Sequence, residues 1–332
     1  MRQFPPEVPL SIRASMPFSL TASYRMQSRR HPEEGALRGV LIVDAANTLN
    51  SNSVNELLKN HRLWDGHSVV ALTPAIIEGR SGIFRTDNDA LYYRDNFVRI
   101  ESTPSIATDL LDVTKLKSLY TSRLSLVEQI FTPESFDWLA SKFSSIERTA
   151  IDEYMCHEAG HRFGYSVSDK YQAGFFRWGG KLRWPLVYAE EYRADVNSWE
   201  FALRYLEQSD AIRVVLYTIV HRFGLAAENM QLGRPGAGYI PFLHFINLLR
   251  SDFFRPVNHA GHCVLDIPSI HSDSVVASVG KIIQGVDLKI NEREAVSPNN
   301  EDSAEAMLSY VYDRLSDSRM KESFARIFGR TP

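Results

Sequence analysis

The chain has 332 residues, of which 44% are hydrophobic and 23% charged, with a formal net charge of −3. A chain of that length buries about three-quarters of its surface in one large or two modest domains. Its near-neutral charge gives no electrostatic reason to expect nucleic acid or an anionic membrane surface as partner. Two cysteines, Cys156 and Cys263, cannot make a disulfide framework. No stretch approaches the roughly 18–20 apolar residues of a membrane span, and Met1 to Arg30 holds no apolar run of the length a signal peptide needs. A cytoplasmic protein without a membrane partner is the expectation.

Residues 1–36 read as an arm, because Pro5, Pro6, Pro9 and Pro17 prevent a long helix. From about Val40 to Glu101 the pattern turns to short β-rich pieces. Val40–Val43 and Ser68–Leu72 have the apolar character of buried strands, with a helical Val54–Asn60 between them. Gly82–Arg85 and Leu91–Ile100 are further strand candidates around the turn signal Thr86-Asp87-Asn88-Asp89. Residues 105–148 are helical in pattern, as Ile106–Leu119, Ser122–Ile130 and Glu134–Ile146. Thr132 before Pro133 is placed as an N-cap with proline in the first turn.

The run from Ser145 to Phe163 contains no proline and one glycine, so it reads as a helix, and it carries His157-Glu158-Ala159-Gly160-His161. At 100° per residue the two histidines lie about 40° apart on one face, the separation at which two imidazoles reach one metal ion. Glu158, about 100° from His157, stands at the edge of that face, where a general base can reach a water beside the metal. Cys156 falls off the face and is expected to pack.

Val187 to Leu206 is also proline-free, with Val196, Trp199, Leu203 and Leu206 spaced as a buried stripe. It opens with Glu190-Glu191-Tyr192-Arg193-Ala194-Asp195. Glu191 and Asp195 are i, i+4 and share a face, while Glu190 points about 100° away. A catalytic zinc commonly takes two histidines, one glutamate and a water, so Glu191 fits as the third ligand. Ligating histidines usually give their other N–H to a carboxylate, and Asp195 is placed for that. The expected cofactor is Zn2+, held by His157, His161 and Glu191.

At these residues the chain resembles the gluzincin metallopeptidases, in which H-E-x-x-H on one helix is followed by E-x-x-x-D on the next. The second block is similar to the E-E-C-R-A-E/D motif of the dipeptidyl peptidase III family, whose first motif is one residue longer than the one here. The resemblance covers about residues 150–207. It implies that Glu191 binds zinc, that Asp195 supports a histidine, and that a sheet lies over the metal helix with an edge strand for an extended substrate, for which Tyr92–Ile100 is the candidate.

Between the two blocks, Phe175 to Pro185 is an aromatic and basic loop or hairpin. It reads as a lid on the core or, if it lines a cleft, as a source of Arg177, Lys181 or Arg183 for a substrate carboxylate. After Asp210 the chain is helical to Arg250, interrupted by the glycine-rich Gly233–Gly238, a turn rather than a phosphate loop. In zinc peptidase families that the chain resembles, a histidine from a helix well downstream of the glutamate ligand stabilises the oxyanion, and that resemblance implies His244, on a helix from about Ile240 to Leu249, with His221, Tyr239, His259 and His262 as alternatives. His259-Ala260-Gly261-His262 is a second candidate metal pair at i, i+3, although its neighbours Pro256, Asn258 and Gly261 read as loop. Helical runs Val275–Gln284 and Ser303–Ile327 close the chain, around a polar loop Ser297–Asp302.

The expected fold class is α+β, mainly α-helical, with a zincin-like metal helix, a small N-terminal β-sheet and a helical C-terminal part. Its expected divisions are an arm at 1–36, a catalytic core at 37–208 and helices at 209–332 that complete the cleft. The expected function is hydrolysis of a peptide or small-molecule amide bond by metal-activated water, with Glu158 as base. The alternatives are a zincin-like enzyme of small-molecule metabolism, a non-haem iron enzyme, since two histidines and a carboxylate also describe that site, and a non-catalytic binding protein.

Overall fold

The computed structural model describes residues 9–10, 20–21, 24–27, 36–45, 57–62, 72–82, 91–92, 97–98, 109–143, 145–163, 176–178, 181–232, 238–268, 271–291 and 300–329. The chain is mainly helical with a smaller β part, and it divides into two compact units. One comprises Met1–Asn55 and Val70–Ser118, the other Glu56–Val69 and Leu119–Pro332. The division differs from the one expected. The proposed arm belongs to the sheet unit, and the helices on both sides of residue 208 form a single unit, because those at Ile146–Gly160 and Trp184–Tyr205 pack against the ones that follow them.

In the first unit β1 (Pro9–Leu10) pairs with β2 (Leu20–Thr21). The remaining strands are β3 (Tyr24–Gln27), β4 (Ala36–Ala45), β5 (Leu72–Gly82), β6 (Leu91–Tyr92), β7 (Phe97–Val98) and β8 (Asp109–Asp112). They form one sheet in the order β6-β8-β5-β4-β3-β7. β4 lies antiparallel to β5, from Gly39 opposite Gly82 to Ala45 opposite Ala75, with a register shift between Ile42 and Val43. β5 runs parallel to β8. The expected Val40–Val43 strand is the middle of β4. Of Ser68–Leu72 only Leu72 is described in a strand, which continues to Gly82 through the β-branched Ile76-Ile77. The two described pieces of Leu91–Ile100 are short strands at opposite edges of the sheet. The Thr86–Asp89 turn lies outside the described residues, and the expected Val54–Asn60 helix is described as a helical turn at 57–59.

Asp112 ends β8 and starts α1 (Val113–Val127), its Oδ1 accepting the Lys115 backbone N–H at 3.1 Å. Where the helices Ile106–Leu119 and Ser122–Ile130 were expected, Asp109–Asp112 is a strand and one helix runs without a break from Val113 to Val127. Leu116, Tyr120, Arg123 and Val127 are all buried, a single apolar-sided stripe at helical spacing that overrides the weak helix propensity of Tyr120-Thr121-Ser122. α2 (Pro133–Ser141) starts as expected, with Thr132 Oγ1 accepting the Ser135 N–H and Pro133 in the first turn.

The second unit continues with α3 (Ile146–Gly160), the hairpin β9 (Arg177–Trp178) and β10 (Lys181–Leu182), α4 (Trp184–Tyr205), α5 (Gln208–Gln231) and α6 (Tyr239–Arg250). Then come the hairpin β11 (Arg255–His259) and β12 (His262–Asp266), and α7 (Ser272–Val286), which passes into a π-helical turn at Asp287–Asn291. α8 (Asn300–Leu315) and α9 (Ser318–Phe328) end the fold. The expected single run Ser303–Ile327 is broken where Asp317 caps α9 by accepting the Met320 N–H at 3.1 Å. No helix among the described residues is long and apolar enough to cross a membrane.

α4 is the central element of this unit, packed against α3, α5, α6, α7 and α8. Val196 and Trp199 of its expected stripe are buried, whereas Leu203 and Leu206 are only half-buried. The helix is instead enclosed nearly all round between Ala189 and Ala202, so a one-sided stripe understates its burial. α3 approaches it most closely at Gly160. A Cβ there would lie 2.1 Å from the Ala194 carbonyl oxygen and 2.9 Å from its carbon, and Asn197 Nδ2 donates to the Gly160 carbonyl at 3.2 Å. Backbone on both sides cannot yield cheaply, so Gly160→Ala is expected to destabilise the protein by about 1–3 kcal/mol, the usual cost of overpacking. A denaturant midpoint unchanged from wild type would show that the two helices separate freely here.

Candidate metal centre

α3 and α4 bring the two sequence blocks together. Nε2 of His157 and Nε2 of His161 lie 3.1 Å apart, with the rings nearly perpendicular at 82°. Two imidazoles bound tetrahedrally to zinc at 2.0–2.1 Å place their nitrogens about 3.3 Å apart, so the spacing fits one shared ion. The Glu191 carboxylate approaches both, its Oε2 3.5 Å from His157 Nε2 and its Oε1 3.8 Å from His161 Nε2. Glu158 is the other carboxylate within range, each ligand atom of the His157, Glu158, His161 group lying within 4.8 Å of the others. Both carboxylates are thus available to an ion shared by the two histidines.

The outer nitrogens explain why the inner ones converge. His157 Nδ1 meets Asp195 Oδ1 at 2.7 Å and His161 Nδ1 meets Glu190 Oε1 at 3.1 Å. A neutral imidazole that donates Nδ1–H to a carboxylate keeps its lone pair on Nε2. Two such lone pairs facing each other at 3.1 Å repel unless a cation lies between them. A proton can take that place. Burial alone would lower the His157 pKa, but hydrogen bonds to Asp195 and Glu191 and the charges of both acids hold it well above the ordinary histidine value. Burial likewise tends to raise the Glu191 pKa, but the His157 hydrogen bond and the His161, His157 and Arg222 charges bring it down to about 2. The centre therefore favours a negative carboxylate beside a cation.

Each supporting carboxylate is held in turn by an arginine. Arg193, fully buried one turn along α4, donates Nε and Nη2 to the two oxygens of Glu190 at 2.8 Å each, and Nη1 donates to the Phe163 carbonyl. On the other side Arg222 of α5 donates Nε to Asp195 Oδ2 at 2.6 Å and Nη2 to Oδ1 at 2.8 Å. Its Nη2 also lies 3.4 Å from Glu191 Oε2. Such paired, charge-assisted bonds fix both position and angle. Asp195 has no exposed surface; burial would raise its pKa, but Arg222 and the hydrogen bonds from His157 and His244 hold it well below the carboxylate range. Glu190, Arg193 and Arg222 carry roles that the sequence reading did not assign. The 100° offset of Glu190 is what turns it toward His161, and its i, i+3 spacing to Arg193 was a visible signal.

His244 takes a different place from the one expected. It has no exposed surface, and its Nε2 lies 2.8 Å from Asp195 Oδ2, the oxygen not used by His157. As placed it supports Asp195 rather than facing an incoming carbonyl. Its Nδ1 is buried with no hydrogen-bond partner among the described residues, and burial lowers its pKa. His221 is buried against the Arg123 guanidinium at 2.6 Å. His259 and His262 are cross-strand partners flanking the β11–β12 turn, which positive φ values at Ala260 and Gly261 allow. They line a separate cleft of about 710 Å³ with Phe131, Cys263 and Phe328. Neither histidine belongs to the group formed by His157, Glu158 and His161. Of the alternatives, Tyr239 alone is half-exposed and packed against α4, through Tyr188. Cys156 is buried and packs as expected.

Beneath the site, buried Glu153 accepts hydrogen bonds from Tyr120 Oη at 2.6 Å and Thr218 Oγ1 at 2.9 Å, tying α3 to α1 and α5. One residue earlier, burial lifts the Asp152 pKa from 3.8 to about 6, against the opposing charges of Arg148 and Arg213. Between those two values the native state binds more protons than the unfolded chain, so this group makes stability fall as pH rises through that window. The loss is complete above pH 6 and amounts to at most about 3 kcal/mol. Asp152→Asn is expected to flatten this slope and to raise stability at pH 7 by about 1–3 kcal/mol. Urea unfolding at pH 4.5 and 7 measures both, and an unchanged slope would assign it to other groups.

No family model matches this chain, and no curated protein matches it in sequence.

Proposed function

We propose that the chain is a zinc-dependent hydrolase of a peptide or amide bond. One observation carries the reading: two histidine Nε2 atoms 3.1 Å apart, each ring anchored through Nδ1 to a buried carboxylate, with Glu191 within 3.8 Å of both. The donor set of two imidazoles and one carboxylate suits zinc with a position left open, and a zinc ion held there supplies a polarised carbonyl and an activated water. Glu158 takes the proton of the attacking water and returns it to the leaving nitrogen, serving as base and then acid. Asp195 and Glu190 keep the imidazoles in the ligating tautomer. The likeness of the two blocks to the gluzincin pattern supports the same assignment, and an adjacent glutamate has a use in hydrolysis that it lacks in a non-haem iron site.

Elemental analysis of protein purified without chelator tests the proposal, with Glu191→Ala run alongside. About one zinc per chain is expected, lost in the variant while the circular dichroism spectrum is retained. Iron in place of zinc would transfer the site to oxygen chemistry, and absence of any metal would remove the catalytic reading.

A further inference from the structure

We infer that the substrate carries an aromatic side chain within about three residues of the scissile bond, seated on a stack formed by Trp184, Tyr188 and Tyr239. The inference rests on the amide-hydrolase reading above and deepens it. Trp184 and Tyr188 stack at 5.9 Å between ring centres and 26° between planes, and Tyr188 stacks on Tyr239 at 5.2 Å and 25°. Tyr188 is thus the middle ring, stacked on Trp184 and on Tyr239. Trp184 is 55% exposed, whereas Tyr188 and Tyr239 are half-buried.

The helix register joins this stack to the metal centre. Tyr188 and Trp184 precede Glu191 by three and seven residues on α4. At 100° per residue Trp184 lies about 20°, and Tyr188 about 60°, from Glu191 around the helix. Long side chains lean toward a helix N-terminus, so ideal helix geometry sets Tyr188 and Trp184 N-terminal to Glu191 on the same side of α4, over a length of about 10 Å. An extended peptide advances about 3.3–3.6 Å per residue, so that length spans the side chains nearest a bond held at the centre. A stack that served only to cover the core would bury its outermost ring. This one leaves Trp184 more than half exposed, and a further ring packed on it gains both stacking and apolar burial. Aromatic walls beside a few fixed polar groups are the usual lining of a small-molecule subsite.

The test uses the full chain, metal-free and zinc-loaded, titrated with N-acetylphenylalaninamide and N-acetylalaninamide and followed by saturation-transfer NMR. The phenylalanyl compound is expected to bind about five- to tenfold more tightly, the value of one added ring contact. Trp184→Ala and Tyr188→Ala should each erase the difference between the two probes, and Trp184→Phe should restore it. A structural role for the stack would shift stability without changing that ratio. Equal binding of the two probes to the wild type, or an undiminished ratio in Trp184→Ala, would overturn the inference. Binding to the metal-free chain is read without catalysis, so the subsite is decided even if the protein proves to hold no zinc.

Discussion

Glu158→Gln is expected to lower amide hydrolysis by about 10²–10⁴-fold, the range general acid–base catalysis supplies, while leaving about one zinc per chain. The substitution keeps size and hydrogen-bonding capacity at a position with only 7% of its surface exposed, so the packing of α3 should survive. It removes the ability to take a proton. The same variant separates the two carboxylates near the histidines. Glu158 and Glu191 both lie in range, and if Glu158 were the third ligand, its amide would lose metal together with activity. Glu191→Ala would then keep its metal. Metal content and turnover measured in parallel on the two variants therefore give opposite patterns for the two assignments, and metal loss in Glu158→Gln would sink the base assignment.

How far the centre could be read beforehand depends on how local each part is. His157, Glu158, His161, Glu191 and Asp195 sit at helical spacings on two proline-free segments, so the backbone period alone predicts which of them share a face. The i, i+3 pair of Glu190 and Arg193 was legible on the same ground. Arg222 was not: it lies 27 residues after Asp195, inside an α5 run of valine, leucine and isoleucine whose apolar pattern conceals one inward cation. His244 was found as a residue and misplaced in role, because burial behind Asp195 and exposure beside it leave the same signature in the sequence. The caps show the same division. Thr132 and Pro133 announce α2, whereas the capping role of Asp317 shows only once α8 and α9 are seen to separate there. In the sheet unit the apolar run of β4 was visible, but β5 begins where the predicted strand ends.

The two buried arginines make the strongest structural commitment of the site, and Arg222→Met is expected to destabilise the protein by about 3–5 kcal/mol, the cost of leaving a buried charge without its partner. Asp195 has no exposed surface, and Arg222 supplies two of its hydrogen bonds. Without it the carboxylate keeps only His157 and His244. Metal affinity should fall with stability, by about 10–100-fold, because Asp195 orients His157 and Arg222 also reaches Glu191. These two losses have different causes and come apart in a second variant. Asp195→Asn combined with Arg222→Met removes both charges, so much of the stability should return. His157 would still lack a charged acceptor for its Nδ1–H, so affinity should stay low. Denaturant unfolding reads the first quantity and competition with a chelator the second. Recovery of both together would mean that Asp195 serves the fold and not the histidine. A loss below about 1 kcal/mol in Arg222→Met would mean that water enters and solvates Asp195, contrary to its closed surroundings.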